Sequence, residues 1–219
     1  PPHTWTNPCY LVDPVTYAEC ADRIVVYTSA EPGAELIGSG INPTVRLVAA
    51  YVNTDVAGST DITLTNMTVR QGVYGGIIVS SKADPAKPKI SKKYIDTVTA
   101  ELAGDTSVTI QNGSYKEIYG GGGGFNSTVT GDAMVNYYGG NASAIYGGGS
   151  DGAIVEGDAS VNIIGSPAGG RISKIYGGGK DAIVLGDTTV TFSSDANLIN
   201  FTGTVYGGGK GKKTVVGGY

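Results

Sequence analysis

The chain is poor in the residues that most often do chemistry. It holds one histidine, His3, two cysteines, Cys9 and Cys20, and one tryptophan. A lone histidine leaves neither a second imidazole for a histidine metal site nor a well-placed base for a Ser-His-Asp arrangement. Glycosidase chemistry needs two carboxylates at a set separation in a cleft. Aspartates do recur, but at turns of a regular pattern, so the sequence reads as a non-enzyme without a cofactor. Charged residues make up only 16% of the chain and the net charge is −4, with no basic stripe interleaved with aromatics. Nucleic acid is therefore not an expected partner. No run reaches the roughly 20 apolar residues that span a bilayer, and no lipidation motif is visible, so no membrane insertion is expected.

What the chain has in excess is glycine and tyrosine, 36 and 14 of 219 residues, with an apolar share of 40% that is adequate for a core. Much of the glycine lies in a text that returns four times. Ile118-Tyr119-Gly120-Gly121-Gly122 recurs from Ile145, Ile175 and Val205, and the tyrosines Tyr119, Tyr146, Tyr176 and Tyr206 step by 27, 30 and 30 residues. A second element, Gly-Asp with a valine three residues on, starts at Gly104, Gly131, Gly157 and Gly186. Fixed periods of this length mark stacked units that cannot bury their apolar faces alone.

Each unit reads as three short strands with glycine between them and no room for a helix. After Gly-Asp, period-two alternation puts Val108/Ile110, Val135/Tyr137, Val161/Ile163 and Val190/Phe192 on the inner face. The second strand ends in Tyr-Gly-Gly-Gly, with Ile118, Ile145, Ile175 and Val205 inward and the tyrosines on the opposite, outer face. The third strand places Val129, Val155, Val184 and Val216 inside and Ile154, Ile183 and Val215 outside. The fold class this predicts is all-β, a parallel β-solenoid with three strands per coil of about 26–30 residues. The glycine triplet marks a corner that needs either φ > 0 or close backbone approach. Its other reading, a phosphate-binding loop, lacks a following helix or Gly-Lys-Ser/Thr run.

Three segments follow. Residues 1–22 carry prolines and both cysteines, lack the repeat, and read as an irregular arm or cap. A Cys9 to Cys20 disulfide would fit an oxidising exterior, and two reduced buried thiols are the other reading. Residues 23–103 read as irregular early coils. They hold an inserted lysine-rich loop, 82–93, because Tyr74 to Tyr119 spans 45 residues. Insertions of this kind emerge on one face of a solenoid and often mediate binding. Residues 104–219 are the regular repeats. The start at Pro1-Pro2 rather than methionine fits either a mature product after removal of a leader or an expressed piece of the protein. At the far end Thr214 to Tyr219 begins another coil, so either the array continues or that edge pairs with another subunit.

Four site readings remain. Asp105, Asp132, Asp158 and Asp187 should stack, and each either caps its own turn by bonding the backbone two residues on or joins the others in holding calcium. Around Asp151 the run Gly147 to Gly152 is similar to the calcium-binding nonapeptide repeat. The exposed tyrosine ladder serves as aromatic stacking, as a contact between subunits, or as a platform for surface glycans. The stripe Ile154, Ile183 and Val215 is one that a monomer would rarely leave wet. Asn66, Asn112, Asn126, Asn141 and Asn200 each open an Asn-x-Ser/Thr sequon, candidate glycosylation sites in a secreted chain.

The text IYGGG…VxGDxxVxI, from Gly104 to Gly218, resembles the β-strand repeat of large secreted or cell-surface proteins of anaerobic prokaryotes. That resemblance implies adhesin-like arrays on the cell exterior. A small, glycine-rich chain kept outside the cell by polymerisation is similar to subunits of extracellular filaments, tubes or sheaths such as surround certain filamentous methanogenic archaea. The leading expectation is thus a secreted structural protein whose partners are copies of itself. A carbohydrate-binding adhesin module using the tyrosines is the second, and a polysaccharide-active β-helix enzyme the third.

Overall fold

The computed structural model describes residues 3–5, 24–26, 34–38, 46–48, 55–79, 99–165, 169–193 and 199–218. Cys9, Cys20 and the loop 82–93 lie outside the described residues. Among those described there are twenty strands and no helix. The early ones are β1 (His3–Trp5), β2 (Ile24–Val26), β3 (Ala34–Gly38), β4 (Arg46–Val48), β5 (Val56–Ala57), β6 (Thr60–Thr65), β7 (Met67–Tyr74) and β8 (Ala100–Ala103). Regular coils then follow in threes: β9 (Thr106–Ile110), β10 (Gly113–Tyr119) and β11 (Ser127–Val129), then β12 (Ala133–Tyr137), β13 (Gly140–Tyr146) and β14 (Ile154–Val155). The last two coils are β15 (Ala159–Ile163), β16 (Gly170–Tyr176) and β17 (Ile183–Val184), then β18 (Thr188–Phe192), β19 (Ile199–Tyr206) and β20 (Val215–Val216).

From β3 onward every third strand joins the same sheet, which makes the molecule a parallel β-solenoid. Sheet one runs β1-β3-β6-β9-β12-β15-β18, sheet two β2-β4-β7-β10-β13-β16-β19, and sheet three β5-β8-β11-β14-β17-β20. The register is the register of the text. Val108 pairs with Val135, Val135 with Val161 and Val161 with Val190, while Ile118, Ile145, Ile175 and Val205 pair in turn. Tyr74 pairs with Tyr119 across the coil that carries the insertion, after a register shift between Tyr115 and Glu117. One segment departs from expectation: His3–Trp5, read as part of an arm outside the repeat, is a strand parallel to β3 at the margin of sheet one.

The alternation that defines the strands also builds the core. One cluster lies between sheets one and two and includes Ile62, Val108, Val135 and Val161 from one side and Val73, Ile118, Ile145 and Ile175 from the other. Each such aliphatic side chain contributes about 1.5–3 kcal/mol on leaving water. A second cluster joins Leu102, Val129, Val155 and Val184 of sheet three to Ala133 and Ala159 at the start of sheet one.

The glycine triplet is a corner by close approach. None of Gly120, Gly121 and Gly122 has positive φ. A Cβ on Gly120 would collide with the carbonyl of Gly147 in the next coil, one on Gly121 with the Val155 side chain, and one on Gly122 with the carbonyl of Ile77 in the coil before. The triplet is thus three separate packing constraints, each set by a different neighbour.

Candidate functional site

The tyrosines leave sheet two on its outer side, as the alternation requires, but they do not reach solvent. Tyr119 and Tyr146 are 1% and 0% exposed, and Tyr176 is buried with them. This corrects the expectation of an exposed ladder. After each triplet the backbone turns back over the outer face, where Ile78, Gly123, Ser150, Lys180 and Lys210 form a fourth line of parallel bridges. Ile78 packs with Val48, Tyr74, Tyr119, Ala144, Tyr146 and Tyr176 in a third core cluster. Gly123 lies so close to the Tyr74 ring that a Cβ there would strike it.

Within this layer the rings stack one per coil. Centroids from Tyr74 through Tyr119, Tyr146 and Tyr176 to Tyr206 are 4.7, 4.9, 4.8 and 4.7 Å apart, with planes within 11° of parallel. The spacing is that of the strands, so the backbone sets it. Each pair contributes about 0.5–1.5 kcal/mol beyond burial.

The phenol ends are handled unequally. Tyr119 donates to Glu117 Oε2 at 3.0 Å, and Lys180 reaches back two coils to hold both Glu117 oxygens at 2.8 and 3.0 Å. The Tyr146 hydroxyl is buried with no hydrogen-bond partner among the described residues. Burial pushes the Tyr119 phenol far above the ordinary tyrosine range, with the neighbouring Tyr74 and the Glu117 charge adding to it. Burial likewise raises Tyr146, where Glu117 adds to it. The Lys180 to Glu117 clasp was not foreseen, since nothing in the spacing of 63 residues marks the two as neighbours.

The aspartates form a ladder too, of a different kind from that expected. Asp105, Asp132 and Asp158 each accept, through Oδ1, the backbone N–H of the aspartate in the following coil, at 2.9, 2.8 and 2.8 Å. They tie coil to coil rather than capping their own turns. The glycine before each aspartate is explained by the same contact: a Cβ on Gly131, Gly157 or Gly186 would collide with the carboxylate below. Ser59 takes the place of aspartate in the coil before, its Oγ accepting the Asp105 N–H at 3.0 Å. Among the described residues no three His, Cys, Asp or Glu side chains are grouped as a metal site would need. That includes Asp105, Asp132, Asp158 and Asp187, the residues considered for calcium.

Of the sequon asparagines, Asn66 is exposed at a tight turn with φ 55°, and Asn141 and Asn200 are exposed on β13 and β19. Asn112 and Asn126 are half-buried, and Asn112 Oδ1 accepts the Gly113 N–H at 2.8 Å. Ile154 and Ile183 pair in register on the outer side of sheet three, half-buried, and Val215 continues the line exposed.

On the last described coil the same positions are less covered. β18, β19 and β20 are the outermost strands of their sheets. Tyr206 is 43% exposed and Phe192 46%, and Val216 is 38% exposed where its counterpart Val184 is 0%. Among the described residues, a Cβ placed on Gly207 or Gly208 would meet nothing within 4 Å. The last described coil thus brings Phe192, Tyr206 and Val216 together as exposed apolar side chains. Fold and site together define a class, the parallel β-solenoids. Comparison with protein-family models, with curated proteins and with solved structures gave no match.

Proposed function

We propose that this is a structural protein that assembles through its coil faces into an extracellular filament, tube or sheath, its partners being copies of itself. The observation that carries this reading is that each coil is completed by its neighbour: Tyr146 and Val184, between coils, are 0% exposed, whereas Phe192, Val205, Tyr206 and Val216 on the last described coil are 46%, 38%, 43% and 38% exposed. Exposed apolar area joined to unpaired strands is a template for another chain. A contact between unlike faces of one molecule extends as a filament where its rotation does not close into a ring. The outer line Ile154, Ile183 and Val215, with exposed Leu185 and Phe125 beside it, supplies a second, lateral contact through which filaments join into a wall. Placement outside the cell is supported by the accessible sequons at Asn66, Asn141 and Asn200. The sugar-binding alternative is less favoured, because a ladder with three of its rings buried offers a ligand only the ring of Tyr206.

Sedimentation and negative-stain electron microscopy of the purified 219-residue chain test the reading. Rods of constant width that lengthen with concentration are the expected result. Dispersed monomers at every concentration and salt would overturn it.

A further inference from the structure

The tyrosines of successive coils, from Tyr74 to Tyr206, form one continuous column of near-parallel rings 4.7–4.9 Å apart. Rings held face to face at that spacing exchange an electron without any change in packing. A phenol that has lost an electron is strongly acidic, however, and an unpaired charge is costly to keep in a dry interior. The oxidised ring is therefore stable only where its proton has a base to go to, and that base must lie within about 2.6–3.2 Å of the hydroxyl.

The buried tyrosines differ in this respect. Tyr115 and Tyr137 donate to the backbone carbonyls of Asn112 and Gly140 at 2.8 and 2.6 Å. A carbonyl accepts the hydrogen bond but does not take the proton. The Tyr146 hydroxyl has no partner among the described residues. Tyr119 instead donates to a carboxylate, Glu117 Oε2, at 3.0 Å, and Lys180 fixes the position of that carboxylate by holding both its oxygens. Tyr119 also has a ring on each side, Tyr74 at 4.7 Å and Tyr146 at 4.9 Å, and at 1% exposure its ring is shielded from dissolved reductants.

We propose that the tyrosine column is a one-electron redox site, which takes up an oxidising equivalent from a small inorganic radical oxidant and stores it on Tyr119. In this step Tyr119 gives one electron to the oxidant, which is reduced. The phenolic O–H bond breaks as the proton passes along the hydrogen bond to Glu117 Oε2. The products are a neutral tyrosyl radical and a neutral Glu117 carboxyl beside the Lys180 ammonium. Where the oxidant first takes its electron from Tyr146 or Tyr176, the vacancy is filled ring by ring from Tyr119. The column lies within one chain, so the site is complete whether or not copies assemble.

Pulse radiolysis of the full chain with azide radical as the oxidant, followed by the optical and electron paramagnetic resonance spectra of the tyrosyl radical, tests this. A long-lived neutral radical is expected in the unaltered protein, formed more slowly in heavy water because a proton moves with the electron. Tyr119→Phe keeps the ring and removes the O–H, and should shorten the lifetime of the radical at least about tenfold. Glu117→Gln leaves the ring in place without its base, and should shorten the lifetime similarly and abolish the heavy-water effect. Tyr146→Phe removes a hydroxyl that has no partner among the described residues and should leave the lifetime unchanged. Urea unfolding establishes that each variant is folded, and the heavy-water comparison needs no variant. A radical equally long-lived in Tyr119→Phe, one lost equally in Tyr146→Phe, or an unaltered chain without a heavy-water effect would overturn the assignment.

Discussion

Tyr146-Gly147-Gly148-Gly149 and Tyr206-Gly207-Gly208-Gly209 are the same four residues in the same backbone turn, yet one set is fully buried and the other largely open. Nothing local separates them. Gly147 sits against the carbonyl of Gly177, and Tyr146 lies between two rings 4.9 and 4.8 Å away, whereas Tyr206 has one ring beside it and Gly207 has no roof. The difference shows that the motif does not bury itself. Its stability comes from the coil on either side, as in other repeat arrays whose energy is a sum over neighbouring pairs.

The sharpest way to break the comparison is to place one side chain at both sites. Gly147→Val should abolish the cooperative urea transition, because the new atoms would overlap the backbone of the next coil. Gly207→Val in dilute protein should shift stability by no more than about 0.5 kcal/mol. Alkali should follow in size. The phenols of Tyr119, Tyr137 and Tyr146 are held in their protonated form chiefly by burial. Above the ordinary tyrosine value of about 10 the unfolded chain gives up protons that the folded chain keeps. Stability is therefore intact below that pH and falls as pH rises through the higher folded values. Tyrosinate absorbance should appear together with loss of β-sheet circular dichroism, and smooth titration of these rings in an intact fold would count against their burial.

Smaller substitutions sharpen the same contrast. Ile145→Ala, in the core cluster between sheets one and two, should cost about 2–5 kcal/mol. Val205→Ala, its counterpart on the exposed coil, should cost less than about 1 kcal/mol in dilute protein. Equal losses in paired denaturation curves would mean that the last coil is covered. Glu117→Gln should have a small effect, about 0.5–1 kcal/mol, because the Lys180 partner remains partly in water. Added salt should reduce the difference between that variant and the unaltered protein.

How far the sequence led differs between its features. The inner valines and isoleucines were legible because period two and the repeat agree at each of those positions. The tyrosines were placed on the correct side of sheet two and in the wrong surroundings. Alternation says which way a side chain leaves a strand but not what comes to lie on it, and here the chain itself folds back over the rings. The clue was the residue after the triplet, Gly123 and Ser150, small where a ring lies beneath. The aspartates were legible as a ladder but not as a tie between coils. Their hydrogen bonds run to residues 26–29 positions away, a distance that only the stack makes short. Thr60, Thr106 and Thr188 were unmarked in the sequence, yet each donates its hydroxyl to the carbonyl of the first glycine in its own coil, at 2.6–2.7 Å.

Amide hydrogen exchange at Gly207 and Gly208, followed against protein concentration, tests the central claim most directly. The N–H groups of Gly177 and Gly178 are bonded to Tyr206 and Gly208 at 2.9 and 3.2 Å and should be protected at every concentration. Those of Gly207 and Gly208 should exchange freely in dilute solution and become protected as particles form. Protection already complete in the monomer, or free exchange within assembled particles, would contradict the account.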